Sequence, residues 1–314
     1  MTKKTLLSVK DCDYICSNGR DVLVSGKTLL LFRADGTFIA EFPSIRQIHK
    51  AVFLHDNTAL VESLKPHAYH YISLDDGTLL WSISKKGRYG GSVSRFAVTP
   101  DGKTVYDARH ADSFRLCIDR ICPQRQDYEQ YIISEGLRCT YDIFCDENGI
   151  LCAMQSHVVL SDDDSYREEN LSQSGILAIP IDAQGPHPYW KKQWTSITDR
   201  RKNPRGSDGR FVLRDDFSVL DIDSMTEIFL VDAETLKRLP ACGFTWKYDP
   251  VNQLLTVSFL TEKLNIIIDC QKRKVISRYK RDDSSVGYEG CLINAAFWMG
   301  TKSGIVMHPF PNMD

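Results

Sequence analysis

Three stretches decide how this sequence is read: AVFLHDNTALVES at 51–63, FAVTPDGKTVYDA at 96–108 and YDIFCDENGILCAM at 141–154. Each is a short apolar or alternating run, a polar turn and a second run, the pattern of two β-strands joined by a tight connection. The turn aspartates Asp56, Asp101 and Asp146 fall 45 residues apart both times. A fixed period of that length marks a repeat architecture. Looser copies follow at RFVLRDDFSVLDI (210–222) and WKYDPVNQLLTVSF (246–259). Further runs end in aspartate: ISLD at Asp75, LCID at Asp119, IPID at Asp182, FLVD at Asp232 and IIID at Asp269. A short acceptor leaving a strand can bond backbone N–H groups one or two residues on and so start a turn. Each unit therefore reads strand, turn, strand, loop, strand ending in aspartate, turn, strand.

Short runs of the same kind fill the rest of the chain, among them DVLVSG, TLLLF, GILAIPI and NIIID; only AETLKRL and QDYEQYIIS have helical spacing, and both are short. The expectation is an all-β chain. Four antiparallel strands in about 45 residues is the signature of a β-propeller blade, and 314 residues make about seven. FAVTPDGKTVYDA resembles the strand pair of YVTN-type propellers, and LDDGTLLWSI (74–83) resembles the outer strands of quinoprotein-type repeats. AAFWMGTKSGIVMHPF (295–310) is similar to the inner hairpin of WD-repeat blades, although the Trp-Asp pair and the regular histidine of true WD repeats are missing. The resemblance is to the β-propeller superfold and to no subfamily, and one superfold hosts many unrelated roles. The expected blades span 11–43, 47–84, 93–134, 139–195, 209–241, 244–281 and 286–311 of a single domain, 1–314. The last of these is short of a strand. TLLSV (5–9) is expected to supply it as the outermost strand, closing the ring and removing a bare sheet edge.

Composition narrows the function classes. The 39 basic and 41 acidic residues leave a net charge of −2, which selects neither for nucleic acid nor for an acidic membrane surface. With 42% apolar residues the chain can bury a sizeable core, yet no apolar run reaches the length of about 18 residues that a membrane span needs. The first residues, MTKKTLLSVKDCDY, hold a three-residue apolar stretch, too short for a leader core, so a cytoplasmic protein is expected. The ten cysteines include no CxxC pair, and Cys145, Cys152 and Cys270 sit in apolar runs. Free buried thiols are expected, with neither a disulfide framework nor a metal site.

Motifs that would carry chemistry are not found. SGKT at 25–28 resembles the end of a phosphate loop, but Asp21 stands where the first glycine belongs and a strand follows. There is no GxSxG and no HExxH. His67 and His70 are an odd number apart and face opposite sides of an extended strand. Asp162 to Asp164 read as a solvated loop. No cofactor and no metal are expected.

The clearest irregularity is the fourth blade. From Asp146 to the corresponding turn at Asp215 is 69 residues, against 45 elsewhere. The excess is assigned to charged insertions at 161–174 and 195–209. SDDDSYREEN (161–170) carries five acids against one base, and residues 186–210 carry seven bases against two acids. Insertions on one rim of a repeat fold often form its binding face. Candidate partner-binding residues are therefore Trp190, Lys191, Lys192, Trp194, Arg200, Arg201, Lys202 and Arg205. Arg109 and His110, with Asp107 and Asp112, are expected where the third blade's second strand turns toward its third; Arg138 is expected on the next inter-blade loop. The function expected is a non-enzymatic interaction or scaffold module, a monomeric ring presenting rim loops to a protein or peptide partner. The alternative is a propeller hydrolase of lactonase-like type with its site at the channel mouth.

Overall fold

In a computed structural model the described residues are 4–7, 12, 14–85, 95–110, 115–133, 138–157, 159–160, 166–167, 174–194, 204–207, 211–214, 216–221, 224–240, 244–249, 253–259, 262–280, 290–293, 296–301 and 304–309. Among them the chain forms seven four-stranded antiparallel sheets, two small hairpins and one short α-helix. These sheets are the blades of a seven-bladed β-propeller. Among the described residues no helix is long and apolar enough to cross a membrane. Two compact units divide the chain, one of residues 1–85 with 229–314 and one of residues 86–228.

The first unit holds four blades. Blade one runs Tyr14–Ser17, Asp21–Ser25, Leu29–Arg33 and Phe38–Phe42; blade two runs Arg46–Phe53, Thr58–Lys65, His67–Ser73 and Leu79–Ser84. Blade six runs Phe244–Asp249, Leu254–Phe259, Leu264–Asp269 and Lys274–Lys280. Blade seven takes Gly290–Ile293, Ala296–Thr301 and Gly304–Pro309, and its fourth strand is Lys4–Leu7, which pairs Lys4 with Met307 and Thr5 with Val306. The N-terminal strand thus completes the last blade.

Alternation along a strand sends successive side chains to opposite faces, and here both faces are apolar. In Ala296–Thr301, Phe297 and Met299 pack with Leu254 and Ile267 of blade six, while Trp298 packs with Ile15, Val22 and Phe32 of blade one. Leu23, Leu29 and Leu31 of blade one pack with Ala59, Val61 and Ile72 of blade two. The approach at the seventh blade is close enough that a Cβ at Gly300 would lie 2.5 Å from the Cys12 carbonyl oxygen, so only glycine fits there.

The second unit holds blade three, at Ala97–Val98, Val105–His110, Leu116–Cys122 and Asp127–Ile133, and blade four, at Arg138–Cys145, Leu151–His157, Ser174–Ile179 and Tyr189–Trp194. Blade five runs Pro204–Ser207, Phe211–Arg214, Ser218–Asp221 and Thr226–Phe229, its last residue falling in the other unit. Tyr106, Ala108 and Ile118 pack with Ile143, Leu151 and Ala153; Cys152 and Met154 pack with Val212 and Leu220.

Several local readings change. QDYEQYIIS is a strand, because Asp127–Ile133 pairs along its whole length with Leu116–Cys122. AETLK is a helix, Ala233–Lys237, because Asp232 accepts the Thr235 N–H at 2.6 Å and caps it. Asp182 and Asp269 start turns as expected, accepting the N–H groups of Gln184 and Lys272 at 2.7 and 2.8 Å. Asp119 does not, since it lies mid-strand and is buried. Blade five begins earlier than residue 209: Pro204–Ser207 is its first strand, inside the stretch 195–209 read as an insertion, because only three strands follow. Within and beside blade four stand two extra hairpins, Val159–Leu160 with Tyr166–Arg167 and Ile181–Asp182 with Gly185–Pro186.

The side chains of eight cysteines are described, and all eight are free. Burial pushes the Cys145 thiol up to about 12 and those of Cys152 and Cys270 up to about 11.

Deleting residues 1–10 should strip the outermost strand from blade seven and lower the melting temperature by about 5 °C or more, since paired backbone and buried area are lost at one edge. An unchanged melting curve would show that the seventh blade stands without that strand.

Candidate functional site

The third blade carries a polar face opposite the one packed on blade four. Asp107 pairs with Asp119, Asp119 with Gln130 and Arg109 with Cys117, so the strand pleat brings these side chains to one side. Arg109 Nη2 lies 2.9 Å from Asp119 Oδ2, and Asp119 Oδ1 accepts from the Tyr128 hydroxyl at 3.1 Å and Gln130 Nε2 at 2.9 Å. Arg109 is 2% exposed and Asp119 1%. Arg109 therefore sits within the second strand, committed to a carboxylate. His110, at that strand's end, accepts the Thr140 backbone N–H on Nε2 at 3.0 Å, and burial lowers its pKa. An imidazole that accepts on Nε2 carries its proton on Nδ1 and stays neutral. It ties blade three to the first strand of blade four. Arg138 begins that strand, and its side chain lies outside the described residues, as does Asp112. Two residues beyond Thr140, buried Asp142 meets Arg95 in a two-pronged pair, with Nε at 2.7 Å and Nη2 at 2.6 Å.

On the outer strand of blade four, Trp190 is half-buried against the apolar cluster of blades three and four. The Gly175 backbone runs so close beneath it that a Cβ would lie 2.8 Å from the Trp190 ring. Lys191 is the extra residue of a bulge, since Ile176 pairs with Lys192 and Leu177 with Trp190. The bulge breaks simple alternation and Lys191 Nζ meets Asp146 Oδ2 at 2.6 Å. Burial pushes the Asp146 carboxyl up, but the Lys191 ammonium and the Ile150 N–H outweigh it and leave its pKa lowered; the carboxylate in turn raises that of Lys191. The aspartate of the 45-residue period thus anchors the outer strand. Tyr189 is half exposed beside it, and Lys192 is half-buried. The Trp194 side chain, Arg200, Arg201 and Lys202 lie outside the described residues. Arg205 falls on the first strand of blade five, its side chain likewise outside them.

Sequence reasoning missed the polar centre of blade two. Glu62 is buried, with Lys85 Nζ on Oε1, His49 Nδ1 at 3.1 Å and Lys50 Nζ at 3.5 Å from Oε2. Burial alone would raise its pKa; His49, Lys50 and Lys85 together pull it far below the usual carboxylate range. Lys85 Nζ also lies 4.6 Å from the centre of the Tyr69 ring. The available signal was a glutamate inside the apolar run ALVES. On the next strand His70 is held between Ser63 Oγ at 2.8 Å and Ser82 Oγ at 2.7 Å, and burial lowers its pKa to about 4. Among the described residues no group of three or more His, Cys, Asp or Glu side chains is placed to hold a metal ion.

A scan against protein-family models and a search of curated protein sequences give no match. Solved structures do match over nearly the whole chain. A streptogramin B lyase is 10% identical, with 98% of this chain and 96% of the other covered and a TM-score of 0.62. The virginiamycin B lyase of Staphylococcus aureus is 11% identical over 98% and 97%, with a TM-score of 0.57. The Swd1 β-propeller domain of Myceliophteria thermophila is 11% identical over 97% of each chain, also at 0.57. At such identities the likeness is one of fold alone: the chain is a β-propeller.

Replacing Asp119 with alanine should cost about 3–5 kcal/mol of stability, because the buried Arg109 guanidinium loses its carboxylate. A loss under about 1 kcal/mol in denaturant unfolding would mean that other groups hold that charge.

His70 sets a pH dependence. Its pKa is lowered on folding, so the unfolded chain binds the proton first as pH falls. Its contribution is complete above pH 6.5 and is lost on descent toward pH 4, a change of about 2–3 kcal/mol. The stability difference between wild type and His70→Gln should therefore shrink across that window, and a constant difference would refute the assignment.

Proposed function

We propose that this chain is a non-enzymatic interaction module, a cytoplasmic monomer that presents the connecting segments of blade four to a protein or peptide partner. One observation carries the reading: blade four keeps four regular strands while its connections are longer than those of the other blades and build two hairpins of their own. In a repeat fold the period sets the strand framework, and surplus length on one blade is free to bind. The basic run through Arg200, Arg201 and Lys202 supplies a single-sign charge that steers encounter. Trp190, held against the core, and half-exposed Tyr189 offer rigid aromatic area on the outer strand of blade four. Free thiols with raised pKa values suit a reducing compartment. The lyase likeness is one of fold and brings no activity to this chain.

The test uses a partner captured with the whole chain as bait. Changing Arg200, Arg201 and Lys202 together to glutamate should slow its association about tenfold at low salt, and less at high salt, with the melting temperature nearly unchanged. An association rate indifferent to both the reversal and the salt would overturn the blade-four assignment.

A further inference from the structure

Away from blade four, the first unit contains a groove that the function above leaves unused. The helix Ala233–Lys237 and the residues after it lie against the turn and third strand of blade six, leaving an open groove of about 500 Å³. Its apolar surface comes from buried Leu239, from Pro240 and from half-buried Leu264. Its polar rim holds Lys237, Arg238 and Lys280 against one acid, Glu262, and all four are exposed. Arg238 is engaged by Glu234 one helical turn back. Among the described residues Lys237 and Lys280 make no ion pair.

The elements themselves hold these cations in place. Lys237 and Arg238 stand at the C-terminal end of the helix, where exposed carbonyl groups favour positive charge. Lys280 ends the outer strand of blade six directly opposite Leu264, so an ammonium and an aliphatic side chain are neighbours across the sheet. The groove therefore offers positive charge on both walls and an apolar strip between them.

We infer that this groove binds an acidic peptide segment of a partner protein, carboxylates meeting Lys237 and Lys280 and an aliphatic side chain lying over Leu239 and Leu264. Charge complementarity decides the occupant: a basic peptide would be repelled at the rim, and a purely polar anion would leave the apolar strip uncovered. The inference rests on the interaction-module reading and adds a second contact together with the chemistry of what it accepts.

The probe is a fluorescein-labelled peptide of alternating glutamate and leucine, followed by fluorescence anisotropy on the whole chain. The double variant Lys237→Glu/Lys280→Glu should weaken binding about tenfold, and Lys272→Glu/Lys274→Glu, on the same blade outside the groove, by less than about twofold. An all-glutamate peptide should bind more weakly than the alternating one. Equal loss in both variants would reduce the binding to general electrostatics and overturn the groove, as would no binding to the wild-type chain at low salt. The two proposals fail separately. If the groove variant loses the peptide while the blade-four reversal leaves a partner's association untouched, the groove stands and the blade-four assignment falls. The converse pattern removes the groove alone.

Discussion

A four-stranded sheet that is apolar on both faces cannot persist in water until both faces are covered, and blades one, four and seven are such sheets. Phe297 and Trp298 are neighbours in sequence yet belong to different cores, one shared with blade six and the other with blade one. That double burial is what the 45-residue period encodes. It also explains why the seventh blade recruits Lys4–Leu7, and why small residues stand where backbones approach, as at Gly300 beneath Cys12 and Gly175 beneath Trp190. An added methyl group at either position would force the packed elements apart, and cores at native density absorb such changes poorly.

Covering both faces brings charged side chains inside, and four of the buried acids are met by a base from a neighbouring strand or turn. Asp21 meets Arg33, Glu62 meets Lys50 and Lys85, Asp119 meets Arg109, and Asp142 meets Arg95. Desolvation takes back much of what such pairs gain, so their stabilising effect is modest beside the penalty for removing one partner. They act in register. Arg33 reaches the Leu74 carbonyl oxygen at 3.2 Å, and Arg20 reaches Asn57 and Asp75 of the next blade at 3.1 and 3.3 Å. Contacts of this directional kind hold one blade against another at a defined level, which apolar packing alone does not.

Function is sought where these constraints relax. Arg109 and His110 look in sequence like residues displayed for binding, yet their chemistry is spent inside the fold, on Asp119 and on the Thr140 N–H. The surplus length of blade four and the basic groove of blade six lie outside the packed faces. Neither changes the blade framework, and in the groove Lys237 and Lys280 are exposed.

The sequence by itself determined the all-β class, the number of blades, most blade boundaries, the N-terminal closing strand and the turns at Asp182 and Asp269. Each follows from short-range rules: alternation over a few residues, an acceptor leaving a strand, and a period repeated down the chain. Tertiary structure alone decided the rest. LCID looks like the other strand ends, but Asp119 is mid-strand because Ile121 and Cys122 find partners in Tyr128 and Asp127. QDYEQYIIS has helical spacing and becomes a strand because the edge of Leu116–Cys122 offers it a ladder, whereas AETLK stays helical because Asp232 caps it. Pro204–Ser207 is a strand because the fifth sheet would otherwise hold three. The Glu62 centre and the groove beside Lys280 join residues far apart in the chain, and side chains brought together only by pairing and packing leave no local pattern to read.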